Sequence, residues 1–322
     1  MYDETWMTED TADFASAVVA GLSQQPQKII PARYFYDAQG SELFEAITRL
    51  PEYYPTRTEI ALLERHGADI ARLTGPGRVV VEFGSGSSTK TPLLLRCVSP
   101  SAYVPIDISE AFLAASAREL SAAHPGLDVL PVATDFTYPL TLPDAVALTP
   151  KLGFFPGSTI GNMSPRQAVD LLRAFRGTLG EEARLVIGID LRKDPHLLEM
   201  AYDDAQGVTA AFNLNLLHRI NRELHGDCPV EDFEHRAEWN DRQSRIEMHL
   251  RATRDVSFRA AGRRFALRKG ETIHTENSYK YGLEDARFLA RASAWEPLAA
   301  WHDADRLFSL HVWGAMPDGL EP

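Results

Sequence analysis

Residues 78–91 read Arg78–Val79–Val80–Val81–Glu82–Phe83–Gly84–Ser85–Gly86–Ser87–Ser88–Thr89–Lys90–Thr91. An apolar run that stops abruptly at a Gly/Ser loop is a buried strand feeding a tight turn, since glycine tolerates the backbone conformations such a turn needs. Helical character follows over 89–98, and Ala102–Tyr103–Val104–Pro105–Ile106–Asp107–Ile108 is a second short strand running into an acid. Strand, helix, strand is a βαβ unit. The pattern continues with a helix over 109–123, a strand over 128–133, an apolar run near 152–155, a helix over 165–179 and a strand over 183–191. Four or five parallel strands with covering helices predict a doubly wound α/β sheet.

Beyond Asp190 the rhythm changes. Residues 200–224 form one long helical stretch, and over 245–252 Ile246, Met248, Leu250 and Ala252 alternate with polar residues, the pattern of a half-buried antiparallel strand. Strand-like pieces at 265–268 and 272–280, a helix over 283–294 and two closing strands near 298–302 and 307–312 complete the chain. The expectation is an α/β domain from 58–192 and 283–322, with a second, α+β domain from 10–57 and 193–282. The substrate is expected between the two, where pockets commonly form.

The 322 residues carry 33 Lys+Arg against 45 Asp+Glu, a formal net charge of −12, and 44% of them are hydrophobic. That is enough for a sizeable core. An acidic field disfavours nucleic acid and anionic membrane as partners and suits a small polar substrate. Cys97 and Cys228 are too few for a disulfide framework and lack zinc-site spacing. The ten histidines show no HExxH or paired spacing, so no metal is expected. Residues 1–13 hold five acids and no base, the opposite of a targeting peptide, and no apolar run approaches about 18 residues. The expectation is a cytoplasmic, monomeric protein.

The glycine loop admits several readings. It has the first two glycines of a dinucleotide fingerprint, but Thr89 stands at the third. It nearly satisfies a phosphate-binding P-loop through Gly84, Lys90 and Thr91, with 186–190 as a magnesium-binding strand, yet Thr89 again replaces a required glycine. It can also be a tight turn with no ligand. The fuller reading joins Glu82, the glycines and Asp107, about 20 residues onward, whose carboxylate can accept both hydroxyls of a ribose. NAD and S-adenosylmethionine (SAM) both fit that description. Thr134–Asp135–Phe136 after the next strand, with a carboxylate and a ring to hold an adenine amine and face, favours SAM.

Four further segments are distinctive: Tyr34–Phe35–Tyr36–Asp37, Leu50–Pro51–Glu52–Tyr53–Tyr54–Pro55–Thr56–Arg57–Thr58–Glu59, Gly157–Ser158–Thr159–Ile160–Gly161–Asn162 and Ala201–Tyr202–Asp203–Asp204–Ala205–Gln206–Gly207–Val208–Thr209. With them the chain resembles, in order and over nearly its whole length, the SAM-dependent L-histidine Nα-methyltransferases of ergothioneine biosynthesis. The resemblance implies a Rossmann-like methyltransferase sheet and three successive methyl transfers from SAM to the α-amino nitrogen of histidine, giving trimethylhistidine (hercynine). By that resemblance Gly84, Lys90, Asp107, Asp135 and Phe136 fall on SAM-contacting positions. Tyr36, Tyr53, Asn162, Tyr202, Met248, Glu276 and Ser278 fall on substrate-pocket positions, with Tyr36 and Asn162 nearest the reacting amine.

The chemistry of these side chains suits those roles. Tyr53 and Tyr202 can donate phenolic hydrogen bonds to a carboxylate without adding a charge, and Asn162 offers both a donor and an acceptor. The plainer reading of each tyrosine, and of Met248, is core packing, and that of Asn162 is a turn cap before a helix. Glu276 and Ser278, two apart on a strand, project from one face and can meet both imidazole nitrogens, whereas an indole or phenol would leave Glu276 without a partner. The alternative pairs Glu276 with Lys280 on a solvated face. Asn277 and Tyr279 depart from the smaller or apolar residues of the family, on the strand's other face. Methyl transfer needs a neutral amine aligned with the methyl carbon, so most of the catalysis is positioning. Tyr36, Asn162 or a water chain takes the amine proton, and the Phe136 and Tyr36 rings favour the growing ammonium.

Overall fold

The computed structural model describes residues 9–86, 89–108 and 110–317, and the chain divides after Tyr54, Lys193 and Ser278 into two compact units. Strands are numbered in chain order: β1 Lys28–Ile29, β2 Val79–Phe83, β3 Ala102–Asp107, β4 Asp128–Val129, β5 Val132–Ala133, β6 Lys151–Phe155, β7 Arg184–Asp190, β8 Phe233–Asn240, β9 Arg245–Ala252, β10 Val256–Ala260, β11 Arg263–Leu267, β12 Thr272–Tyr279, β13 Trp295–His302 and β14 Phe308–Ala315.

One unit is built on the sheet β13-β14-β7-β6-β2-β3-β4, with β5 also paired to β3. The strands β2 to β7 run parallel, while β14 is antiparallel to β7 and β13 to β14. Every residue of β2 and β6 is buried, as parallel strands covered on both faces require. The period of two divides them: Val79, Val81 and Phe83 enter a core with Leu171, Leu172 and Phe175 of the helix Pro165–Leu179, while Val80 enters another with Leu62, Leu63 and Leu94. That helix begins at the predicted residue because Ser164 caps it in a reciprocal box with Gln167 and Pro165 sits at its first position. The chain leaves β2 toward β3 on one side and returns as β6 on the other. The loop after β2 therefore lies at the carboxyl end of the sheet at its topological switch point, where α/β folds bind ligands.

Two sequence expectations need correction. The strand expected over 128–133 is two short pieces, because Pro131 has no N–H to offer the ladder. The single helix expected over 200–224 is two, Pro195–Tyr202 and Val208–Glu223. The break lies at Asp204, whose carboxylate accepts the Val208 and Thr209 N–H groups at 3.0 and 2.7 Å, and at Gly207, which takes a left-handed φ of 72° as N-cap. The predicted start of the helix at Ser109 falls outside the described residues, and that helix is described over Glu110–Ala123.

The other unit holds the sheet β1-β12-β9-β8, with β1 parallel to β12 and β8 antiparallel to β9. The hairpin β10–β11 turns on Ala261 and Gly262, both at positive φ as a two-residue turn of primed type needs. Among the described residues no helix is long and apolar enough to cross a membrane.

Candidate active site

In the parallel-sheet unit the turn after β2 is fastened to the end of β3. The Gly84 and Ser85 N–H groups donate to the Ile106 carbonyl at 2.8 and 3.1 Å, and Gly86 N–H donates to Asp107 Oδ2 at 3.2 Å. Gly84 (φ 74°) and Gly86 (φ 40°) both occupy the left-handed region, and a Cβ at Gly84 would stand 3.5 Å from the Phe136 ring. Gly84, Asp107 and Phe136 are thus brought together around bare backbone. A carboxylate, an aromatic face and a glycine cradle at a switch point fit an adenosyl group. Phe136 packs edge-on to Phe83 and Phe155 at ring-centroid distances of 6.2 and 6.1 Å. One oxygen of Asp135 is engaged locally, accepting from the Thr137 N–H and hydroxyl at 2.9 and 2.7 Å. Ser87 and Ser88 of the loop lie outside the described residues.

Glu82, the acid on β2, is a buried staple: one carboxylate oxygen accepts from the Thr91 and Tyr103 hydroxyls at 2.6 Å each. Burial pushes its pKa up to about 7 against those two hydrogen bonds. Lys90 Nζ is 2.6 Å from Glu59 Oε2. Asp190 joins Lys193 and Lys280, whose ammonium groups outweigh its burial and hold its carboxyl below the usual range, while burial lowers Lys193 to about 8. The P-loop reading needs Thr91 turned to magnesium and an acid free on β7; both side chains are bonded elsewhere.

The second unit assembles most of the remaining candidates. Tyr36, 38% exposed, meets Phe44 edge-on at 5.7 Å; Phe44 meets Tyr53 at 6.4 Å, and Tyr53 meets Tyr202 at 6.1 Å. The Tyr202 and Ser278 hydroxyls are 2.7 Å apart. Tyr36, Tyr53, Tyr202 and Ser278 thus form one continuous row through Phe44. Glu276 is half-buried two residues before Ser278 on β12. Met248, on the neighbouring β9, is 2% exposed, and its carbonyl accepts from the Thr275 hydroxyl at 3.0 Å. Lys280 is buried against Asp190, so the solvated face that the Glu276–Lys280 alternative needs is absent. Asn162 is half-buried at the end of the 3-10 turn Thr159–Asn162 of the first unit. The cap of the following helix is Ser164, so that duty does not fall to Asn162.

Three residues escaped the sequence reading. Asn213 donates to His235 Nδ1 at 2.8 Å and to the His249 carbonyl at 3.1 Å, and accepts from the Thr275 hydroxyl at 2.8 Å. His235 Nε2–H donates in turn to the Tyr202 carbonyl at 2.8 Å, at the end of the helix Pro195–Tyr202 where carbonyls lack intrahelical donors. Glu59, the last residue of the segment Leu50–Glu59, is fully buried, which its local sequence does not signal. Donor atoms of Glu247, His249 and His274 lie within 4.8 Å of one another. The two imidazoles are stacked at 4.8 Å with only 21° between their planes, so their lone pairs run side by side and do not converge on one ion.

A family model described as "Histidine-specific methyltransferase, SAM-dependent" matches residues 14–315. The chain is 41% identical to a histidine N-alpha-methyltransferase of Mycolicibacterium smegmatis, over 83% of this chain and 84% of that one. It is 39% identical to the histidine N-alpha-methyltransferase of Mycobacterium tuberculosis, over 92% of each. An ergothioneine biosynthesis protein 1 of Neurospora crassa is 28% identical over 88% of this chain and 33% of that one. Matched over almost its entire length, and with a glycine turn, a carboxylate and an aromatic ring gathered at the switch point of its sheet, the chain belongs to the SAM-dependent, histidine-specific methyltransferases.

Proposed function

We propose that this protein transfers three methyl groups in succession from SAM to the α-amino nitrogen of L-histidine, giving hercynine in the first step of ergothioneine biosynthesis. The observation that carries the substrate reading is the 2.7 Å contact between the Tyr202 and Ser278 hydroxyls, on the strand that also bears Glu276. It supports a site in which an orienting phenol meets the Ser278 hydroxyl, with Glu276 two residues away on the same strand face, a carboxylate and a hydroxyl that suit the two nitrogens of imidazole. The names of the relatives agree with that substrate and that pathway.

In this reading Gly84, Lys90, Asp107, Asp135 and Phe136 hold SAM, which supplies when bound an electrophilic methyl on a sulfonium sulfur. Glu276 and Ser278 grip the imidazole, Tyr53, Tyr202 and Asn162 hold the carboxylate and amine, and Met248 lines the ring. Each transfer forms a nitrogen–carbon bond as the carbon–sulfur bond breaks toward sulfur. The amine proton must leave first, through Tyr36, Asn162 or water. Tyr36 is exposed enough to pass it to solvent. The protein is proposed to act in the cytoplasm as a monomer.

The test is mass spectrometry after incubation with SAM and an equimolar mixture of the twenty amino acids. Histidine alone should gain up to three methyl groups. Methylation of another amino acid would discard the Glu276/Ser278 assignment while keeping the fold and the SAM site.

A further inference from the structure

We infer that Glu59 is a positioning residue that sets Lys90 and the turn bearing Asn162 against one buried carboxylate; the inference rests on the reading of Lys90 as a SAM contact and Asn162 as a substrate contact. Glu59 projects from the helix Tyr54–Thr74 and is 0% exposed. Its Oε2 accepts from Lys90 Nζ at 2.6 Å and from Gly157 N–H at 2.8 Å. Lys90 follows the glycine loop, and Gly157 opens the 157–162 turn that ends in Asn162. A Cβ at Gly157 (φ 80°) would stand 3.4 Å from Lys90 Nζ, so the ammonium lies directly against that turn.

The surroundings are shaped to keep this carboxylate. Glu59 Oε1 is buried with no hydrogen-bond partner among the described residues, and a Cβ at Gly188 would stand only 2.0 Å from it. A glycine in the middle of the buried strand β7 weakens the strand, and such a glycine marks a close approach by another group. The approaching group here is Glu59. A buried charge is costly to keep where an apolar side chain would pack, and this one is bonded to two elements that stand 31 and 98 residues away in sequence. Removing its charge should free Lys90 to swing and the 157–162 turn to loosen together.

The experiment is a double-mutant cycle on the full-length protein with Glu59→Gln and Lys90→Gln, reading S-adenosylhomocysteine affinity by calorimetry and the KM values of SAM and histidine. Each single variant should weaken S-adenosylhomocysteine by about tenfold, a loss typical of one charge-assisted hydrogen bond, and the double variant should be no weaker than Lys90→Gln alone. Glu59→Gln should also raise the KM for histidine, which Lys90→Gln should leave in place, because of the two side chains Glu59 is the one that accepts from the turn of Asn162, at the Gly157 N–H. Wild-type affinity in Glu59→Gln beside a weakened Lys90→Gln overturns the inference, as do strictly additive losses. Wild-type affinity in Lys90→Gln instead overturns the reading of Lys90 on which the inference rests. Should Glu59→Gln not fold, Glu59→Asp keeps the charge and withdraws it by one methylene, and it should show the same paired loss.

Discussion

Glu82→Gln should make the protein more stable at pH 8 than the wild type, by an amount that vanishes in acid. Glu82 is 1% exposed and accepts both of its hydroxyl donors on one oxygen, which a glutamine amide oxygen can replace. Burial raises its pKa from 4.5 in the free side chain to about 7. Between those values the folded protein keeps a proton that the unfolded chain has lost, so stability falls as pH rises and the loss is complete above the folded value. At 1.36 kcal/mol per pH decade that span amounts to about 3 kcal/mol. Glutamine carries no such dependence. The difference between variant and wild type should therefore grow by about 3 kcal/mol in the variant's favour from pH 4.5 to pH 8. Urea unfolding followed by tryptophan fluorescence reports on the relevant unit, since Trp295, Trp301 and Trp313 all lie in it. A difference that stays flat across that range would refute the argument and show that Thr91, Tyr103 and the nearby Lys90 charge keep Glu82 ionised in the fold.

Glu276→Gln should raise the KM for histidine by about ten- to a hundredfold, the cost of weakening one charge-assisted contact, with the KM for SAM unchanged in steady-state assays. Asn213→Ala should lower stability by about 2 kcal/mol, because it withdraws the donor that the buried His235 Nδ1 and the His249 carbonyl share, while the Thr275 hydroxyl keeps the Met248 carbonyl; chemical denaturation checks it, and an unchanged midpoint would remove the network from the account. Burial, aided by Arg287, lowers His311 to about 3, and burial beside His249 lowers His274 to about 4. Both therefore stay neutral while the unfolded chain takes up protons below pH 6.5, and stability should fall by about 3 kcal/mol for each by pH 4. His311→Gln should show a visibly shallower dependence over that window in urea midpoints taken from pH 7 to pH 4.

The parts of the molecule that the sequence discloses are those written in local patterns. The run Val79–Phe83 ending at Gly84, the helix start at Pro165 and the alternation over Arg245–Ala252 each depend on neighbours within a few residues, and the structure places all three as expected. The misreadings were also local. Asp204 and Gly207 carry the signal for a break between two helices, but the apolar period runs through them and masks it. Pro131 likewise marked the interruption between β4 and β5. What periodicity cannot supply is the bonding of a buried polar atom. It locates Tyr202 in an apolar setting and stops there; whether that tyrosine is filler or part of a site turns on Ser278, 76 residues away, at 2.7 Å. The same holds for His235, joined to Asn213 across 22 residues, and for Glu59, joined to Gly157 across 98. Resemblance to a family supplies the residues expected at the substrates but none of those behind them, because motif positions record what is contacted and not what holds it in place. Where a buried carboxylate or imidazole spans elements distant in sequence, only the fold shows its partners, and those partners decide whether its burial has a purpose.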